Sequence, residues 1–113
     1  MEIKDIIKEK AKQHFENVVA IRRHLHQNPE LSKQEKETSE YICSILDTIE
    51  GIEYKSNVGG YGVYGFIKGN KPSNKTIALR ADMDALPIKE TTKLPFASIK
   101  EGVMHACGHD VHT

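Results

Sequence analysis

Apolar residues in the first quarter of the chain recur at three- and four-residue intervals: Ile3, Ile7, Ala11, Phe15, Val18, Val19 and then Leu25. That spacing lines one face of a helix, with Lys and Glu filling the other, and it predicts a helix over residues 5–27. Arg22, Arg23, His24 and His26 gather at its C-terminal end, where positive charge suits the helix dipole. Pro29 pushes Asn28 out of the helical region and stops the element. A second helix is predicted over 33–49. Ser32-Lys33-Gln34-Glu35 has the form of a capping box, with serine at the N-cap and glutamate three residues on. Thr38, Tyr41, Ile42, Ile45, Leu46 and Ile49 make its apolar stripe, and Gly51 is a suitable stop.

After Gly51 the period falls to two. Ile52-Glu53-Tyr54-Lys55-Ser56 alternates like a half-buried strand, Gly59-Gly60 marks a turn, and residues 61–68 read as a returning strand. The glycines here are not followed by the lysine–serine pair of a phosphate loop, so that reading is set aside. Thr76-Ile77-Ala78-Leu79 is a short apolar run that predicts a strand inside the sheet rather than at its edge. Together these segments predict an α/β chain: two helices, then strands of a sheet begun but not finished. Residues 88–103, polar with Pro95 and Gly102, read as a long loop.

Composition adds limits. The 113 residues are 38% hydrophobic and 28% charged, as in soluble globular chains. Sixteen basic residues offset sixteen acidic ones, so no electrostatic footprint for nucleic acid or anionic membrane is present. There is no apolar run of membrane-spanning length and no secretory h-region at the N-terminus. Two cysteines, Cys43 and Cys107, make no disulfide framework, and a cytoplasmic location is expected.

The chemistry concentrates in the last nine residues, His105-Ala106-Cys107-Gly108-His109-Asp110-Val111-His112-Thr113. A thiolate and a neutral imidazole are good ligands for zinc and softer transition metals. Cys107 and His109 are two residues apart, and Gly108 gives the backbone freedom to turn both toward one ion. Asp110 is suited to hold an imidazole N–H from behind, and His105 and His112 are placed to line the same pocket. The plainer reading is that a Cys and a His fall close together by chance. Two ligands also leave a zinc shell unfilled. Asp82 and Asp84 fall at the C-terminal end of the 76–79 run, where α/β sheets collect functional groups; they equally suit a turn ahead of Pro87. His24 and His26 read most simply as helix-end residues, and Cys43 as an inert thiol.

Three blocks carry a resemblance. They are Arg22-Arg23-His24-Leu25-His26-Gln27-Asn28-Pro29-Glu30-Leu31-Ser32, Arg80-Ala81-Asp82-Met83-Asp84-Ala85-Leu86-Pro87 and Met104 through Thr113, in that order. Together they resemble the start of an M20-type metallo-amidohydrolase, of the branch acting on N-acyl amino acids, hippurate and auxin conjugates. The resemblance implies that residues 1–113 form the N-terminal part of a three-layer, zinc-peptidase-like catalytic domain with a mixed sheet, the lid or dimerisation domain being absent. It implies that Cys107 and His109 are ligands of a two-metal centre (zinc, manganese, cobalt or nickel). Asp82 matches an aspartate of the wider family that follows a histidine ligand; here that earlier position is Arg80, so Asp82 is expected behind the metal rather than on it. His26 is expected to be structural. In such enzymes the metals acidify a bound water and polarise the amide carbonyl, and a glutamate from a later part of the chain serves as base.

The expectation is therefore a partial metal-dependent amidohydrolase for a small N-acyl amino acid, inactive alone and homo-oligomeric in its full-length form. Two alternatives compete: a small stand-alone metal module closed by His105, Cys107, His109 and His112, and a nucleophilic enzyme using Cys107.

Overall fold

A computed structural model describes all residues, Met1 to Thr113. Helix α1 spans Ile3–Gln27 and α2 spans Lys36–Leu46. Strands β1 (Ile52–Val58) and β2 (Gly62–Ile67) pair antiparallel, and a single helical turn, α3, covers His109–His112. The α/β class read from the periodicity is the one observed, as an incomplete domain: helices beside one two-stranded sheet.

The hairpin follows its sequence closely. Ile52 pairs with Ile67 and Tyr54 with Gly65, and Gly59 and Gly60 both take positive φ in the turn, as the glycine pair requires. The register shifts between Lys55 and Val58, where Asn57 has φ 56°. The hairpin lies against α2, and the Tyr54 hydroxyl donates to Asp47 Oδ1 at 2.6 Å, joining sheet to helix.

Three expectations need correction. The helix start is not a Ser32 capping box. Helix α2 begins at Lys36, and the Glu35 carboxylate turns back to accept from the Lys33 amide at 2.8 Å. The orphan amides of the first turn are met instead by Glu30, which accepts from the Glu37 and Thr38 amides at 3.2 and 2.5 Å and from the Thr38 hydroxyl at 2.6 Å. A carboxylate there satisfies donors and faces the positive end of the dipole together. The same helix ends at Leu46, three residues before Ile49, which is largely exposed.

The strand expected over Ile77–Leu79 does not form. Residues 75–84 pair with no ladder, and Ile77 and Leu79 are 89% and 96% exposed. A central strand is held by neighbours on both edges, and neither β1 nor β2 reaches this segment. The apolar stripe of α1 is likewise uncovered along Ile3, Ile7, Phe15 and Val18.

What is buried lies at the other end of α1. Leu25, His26, Pro29 and Glu30 are packed inside with Ala85, His105 and Asp110. The segment from His26 to Leu31 works as a hub. The Gln27 carbonyl accepts from the Ile99 amide at 3.0 Å, and the Glu30 carbonyl accepts from Ala85 at 2.8 Å. Leu31 bridges Ala85 in parallel, and Leu86 bridges Met104 antiparallel. These few bonds bring the three motif blocks to one place.

Candidate metal centre

The centre is built on the turn before α3. Gly108 sits at φ 91°, in the left-handed region open to glycine, and opens the helical turn that carries His109 and Asp110. Opposite lies the segment after the 76–79 run, held by the bridges at Ala85 and Leu86.

His109 is fixed from behind. Its Nδ1 lies 2.9 Å from Asp84 Oδ1 and 3.0 Å from the Asp84 carbonyl oxygen, so this nitrogen carries the proton and donates. Nε2 is then the free nitrogen, and Asp82 Oδ2 stands 3.7 Å from it. Asp82 is itself held by Arg80, whose guanidinium donates to Oδ1 at 2.6 Å. The Thr113 hydroxyl donates to the Asp82 carbonyl at 2.6 Å and closes the turn. Cys107 is a free, exposed cysteine. Sequence reasoning named Asp82 for the position behind the metal and left Asp84 open between a functional group and a turn residue. The geometry gives the clamp on His109 to Asp84, and an aspartate two residues on from the expected one was the only signal.

Asp110 does hold an imidazole, as its chemistry suggested, but not one of the terminal cluster. Its Oδ2 accepts from Arg22 Nε at 2.9 Å and lies 2.8 Å from Nδ1 of His26. The other His26 nitrogen faces Glu90 Oε1 at 2.9 Å. Glu90 also accepts from the Ser98 amide at 3.0 Å and from the Thr92 hydroxyl. Burial pushes the Glu90 carboxyl up, yet the hydrogen bonds from Thr92, Ser98 and His26 together bring it below the ordinary glutamate range. Glu90 escaped the sequence reading because it lies in a loop without a recognisable pattern. His24 stacks on Tyr41 of α2 with ring centroids 3.8 Å apart.

His105 is 4% exposed, and neither ring nitrogen has a hydrogen-bond partner. Burial holds its imidazole below the ordinary histidine range, against smaller upward pulls from Asp110 and Asp84. His112 is exposed. The four-donor module of His105, Cys107, His109 and His112 is therefore not assembled, and no three His, Cys, Asp or Glu side chains come together as a complete shell. Nor does a hydrogen bond join Cys107 to a histidine: the near imidazole, His109, is engaged by Asp84. A Cys–His nucleophile needs that bond.

The donors fit the expected metal in kind. An imidazole pinned through Nδ1 with Nε2 free is the usual arrangement of a ligating histidine, and a thiol two residues away suits the same ions. In number they supply part of a shell.

Residues 78–113 match the Peptidase family M20/M25/M40. The chain is 52% identical to an N-acetyl-L-cysteine deacetylase of Bacillus subtilis over 85% of its own length and 23% of the relative's. It is 48% identical to thermostable carboxypeptidase 2 of Saccharolobus solfataricus over 99% of its length and 28% of the relative's. Among solved structures, it superposes with a TM-score of 0.81 on a dinuclear metal binding peptidase from the M20 family of Bacillus subtilis. That match has 48% identity and covers 89% of this chain and 28% of that one. The chain thus spans about a quarter of the length of the relatives it matches. No helix is long and apolar enough to cross a membrane.

Proposed function

The chain belongs to peptidase family M20/M25/M40, and on that premise we propose that residues 1–113 are the N-terminal part of the catalytic domain of a metal-dependent amidohydrolase acting on N-acyl amino acids. Cys107 and His109 hold the metal, and Asp84 and Asp82 stand behind and beside His109. The observation that carries the reading is the Asp84–His109 clamp, which frees Nε2 on the side of Asp82. The names of the two relatives support the substrate class: removal of an acetyl group from an amino acid and removal of a C-terminal residue both break an amide on the α-nitrogen of an amino acid. Two free cysteines suit a reducing compartment such as the cytoplasm.

A divalent transition ion (zinc, manganese, cobalt or nickel) bound here, as one of two in the assembled centre, supplies Lewis-acid polarisation of the amide and acidifies water. The chain's own part is to hold and orient. Asp84 keeps the His109 proton on Nδ1, and Arg80 holds the Asp82 carboxylate in place.

These residues do not include a free general base. Each carboxylate near the turn is engaged: Glu30 caps α2, Glu90 faces His26, Asp110 is bound by Arg22 and His26, Asp84 is bound by His109, and Asp82 is bound by Arg80. Loss of an acid–base group costs ~10²–10⁴-fold in rate. The chain alone is therefore expected to show no turnover. Purified protein loaded in turn with zinc, manganese, cobalt and nickel should leave N-acetyl and N-benzoyl amino acids intact. Hydrolysis that vanishes in Cys107→Ser would contradict this and place a complete catalytic set within these residues.

A further inference from the structure

Four ionisable side chains run in series: Arg22 of α1, Asp110 of the candidate metal turn, His26 of α1 and Glu90 of the 88–103 loop. The side chains of Asp110, His26 and Glu90 are 1–4% exposed, and that of Arg22 is 35% exposed. His26 is the middle of the series, with Nδ1 2.8 Å from Asp110 Oδ2 and Nε2 2.9 Å from Glu90 Oε1. Both partners are carboxylate oxygens, and an ionised carboxylate only accepts. A neutral imidazole has one N–H and can serve one of them; a ring protonated on both nitrogens serves both. With His26 in that form the charges balance, Arg22 and His26 against Asp110 and Glu90. Paired and hydrogen-bonded, such charges can stay buried, whereas one left alone cannot.

The other groups around the ring are few. His105 lies 6.5 Å away ring to ring, and Phe96 meets His26 edge-on at 5.5 Å. The guanidinium groups of Arg22 and Arg23 sit 5.0 and 4.9 Å from the Phe96 ring centroid.

We propose that His26 is a positioning residue for the metal turn: its doubly protonated ring ties Asp110, the residue after His109, to Glu90 of the 88–103 loop. Asp110 lies in α3, so fixing its carboxylate fixes the turn that presents His109 and Cys107. The inference rests on the reading of those two residues as ligands, and it assigns the network a task beyond holding the chain together. A purely structural His26 would lower stability and leave His109 undisturbed.

The test is nitrogen NMR of the histidine rings in the metal-free full chain at neutral pH, followed by zinc affinity from competition with a chromophoric chelator. Both His26 nitrogens should report as protonated, and His109 should show one tautomer with its proton on Nδ1. In His26→Gln the His109 signal should become a tautomer mixture, and zinc affinity should fall about 10–100-fold. Tyr54→Phe, which removes a bond between β1 and α2, should change neither. Should His26→Gln fail to fold, Glu90→Gln gives the same readouts. An unprotonated nitrogen on His26 in the unaltered chain would overturn the proposal, as would a variant that keeps both the single His109 tautomer and the affinity. If the unaltered chain does not bind zinc, the ligand reading fails, and the nitrogen signals of His26 and His109 still decide the positioning claim.

Discussion

The Asp84 carboxylate meets Nδ1 of His109 at 2.9 Å, and the carbonyl of the same residue meets the same nitrogen at 3.0 Å. One residue thus holds the ring by two oxygens and fixes both its tautomer and its direction. Partners of this kind are typically worth 10–100-fold in metal affinity. Asp84→Ala should therefore weaken zinc binding by about that factor with the far-UV circular dichroism unchanged. Unaltered affinity would show that the backbone carbonyl suffices.

Glu30 is expected to be the main local support of α2. Its carboxylate takes three hydrogen bonds from the first turn, and no other side chain caps that end. Glu30→Ala should cost about 2 kcal/mol, in the range of strong N-caps and charge-assisted bonds. The loss should appear as an earlier urea midpoint and as faster exchange of the Glu37 and Thr38 amides. Ser32→Ala should have little effect, since Ser32 does not cap the helix.

Glu90 should make stability fall in acid. Its carboxyl titrates below the ordinary range in the folded chain, so the folded state prefers the ionised form. The stabilisation is complete above the unfolded value of ~4.3 and is lost as pH drops through the folded one. Glu90→Gln should be less stable than the unaltered chain at pH 7, and the gap should close below about pH 4. A gap that stays constant down to pH 3 would contradict the assignment.

The apolar core is not closed within these residues. Leu25 and Ala85 are the buried hydrophobic side chains besides Pro29, and the accessible surface is 9085 Å² for 12.7 kDa. A compact monomer of that mass exposes roughly 6,200 Å². The uncovered face of α1 and the unpaired 76–79 run are sticky surfaces. Sedimentation should show self-association that rises with concentration, and the chain should bind a hydrophobic dye at neutral pH. A monomer with a sharp thermal transition and no dye binding would contradict this.

Local signals were legible in the sequence. The period of α1, the Gly59-Gly60 hairpin and the stop at Pro29 depend on neighbouring residues alone, and each appears where the pattern put it. The α2 cap was misplaced because Ser32 and Glu35 have the right spacing, while Glu30 reaches the helix only after the chain turns at Pro29. The Ile77–Leu79 strand failed for the opposite reason: its pattern was right for a central strand, but a strand needs partners that a pattern does not supply. In the centre, residue types marked Cys107 and His109. The roles of Asp84, Glu90 and Asp110 depend on contacts across 25, 64 and 84 residues, which no local spacing reveals.

The central claim is that Cys107 and His109 bind a metal together. Cobalt(II) titration of the chain tests it most directly, because a thiolate on cobalt gives a charge-transfer absorption that an imidazole or carboxylate does not. The band should appear with the unaltered chain and with Cys43→Ser, should vanish with Cys107→Ser, and should weaken with His109→Ala. An equal loss from Cys43→Ser and Cys107→Ser, or no thiolate band at all, would contradict it.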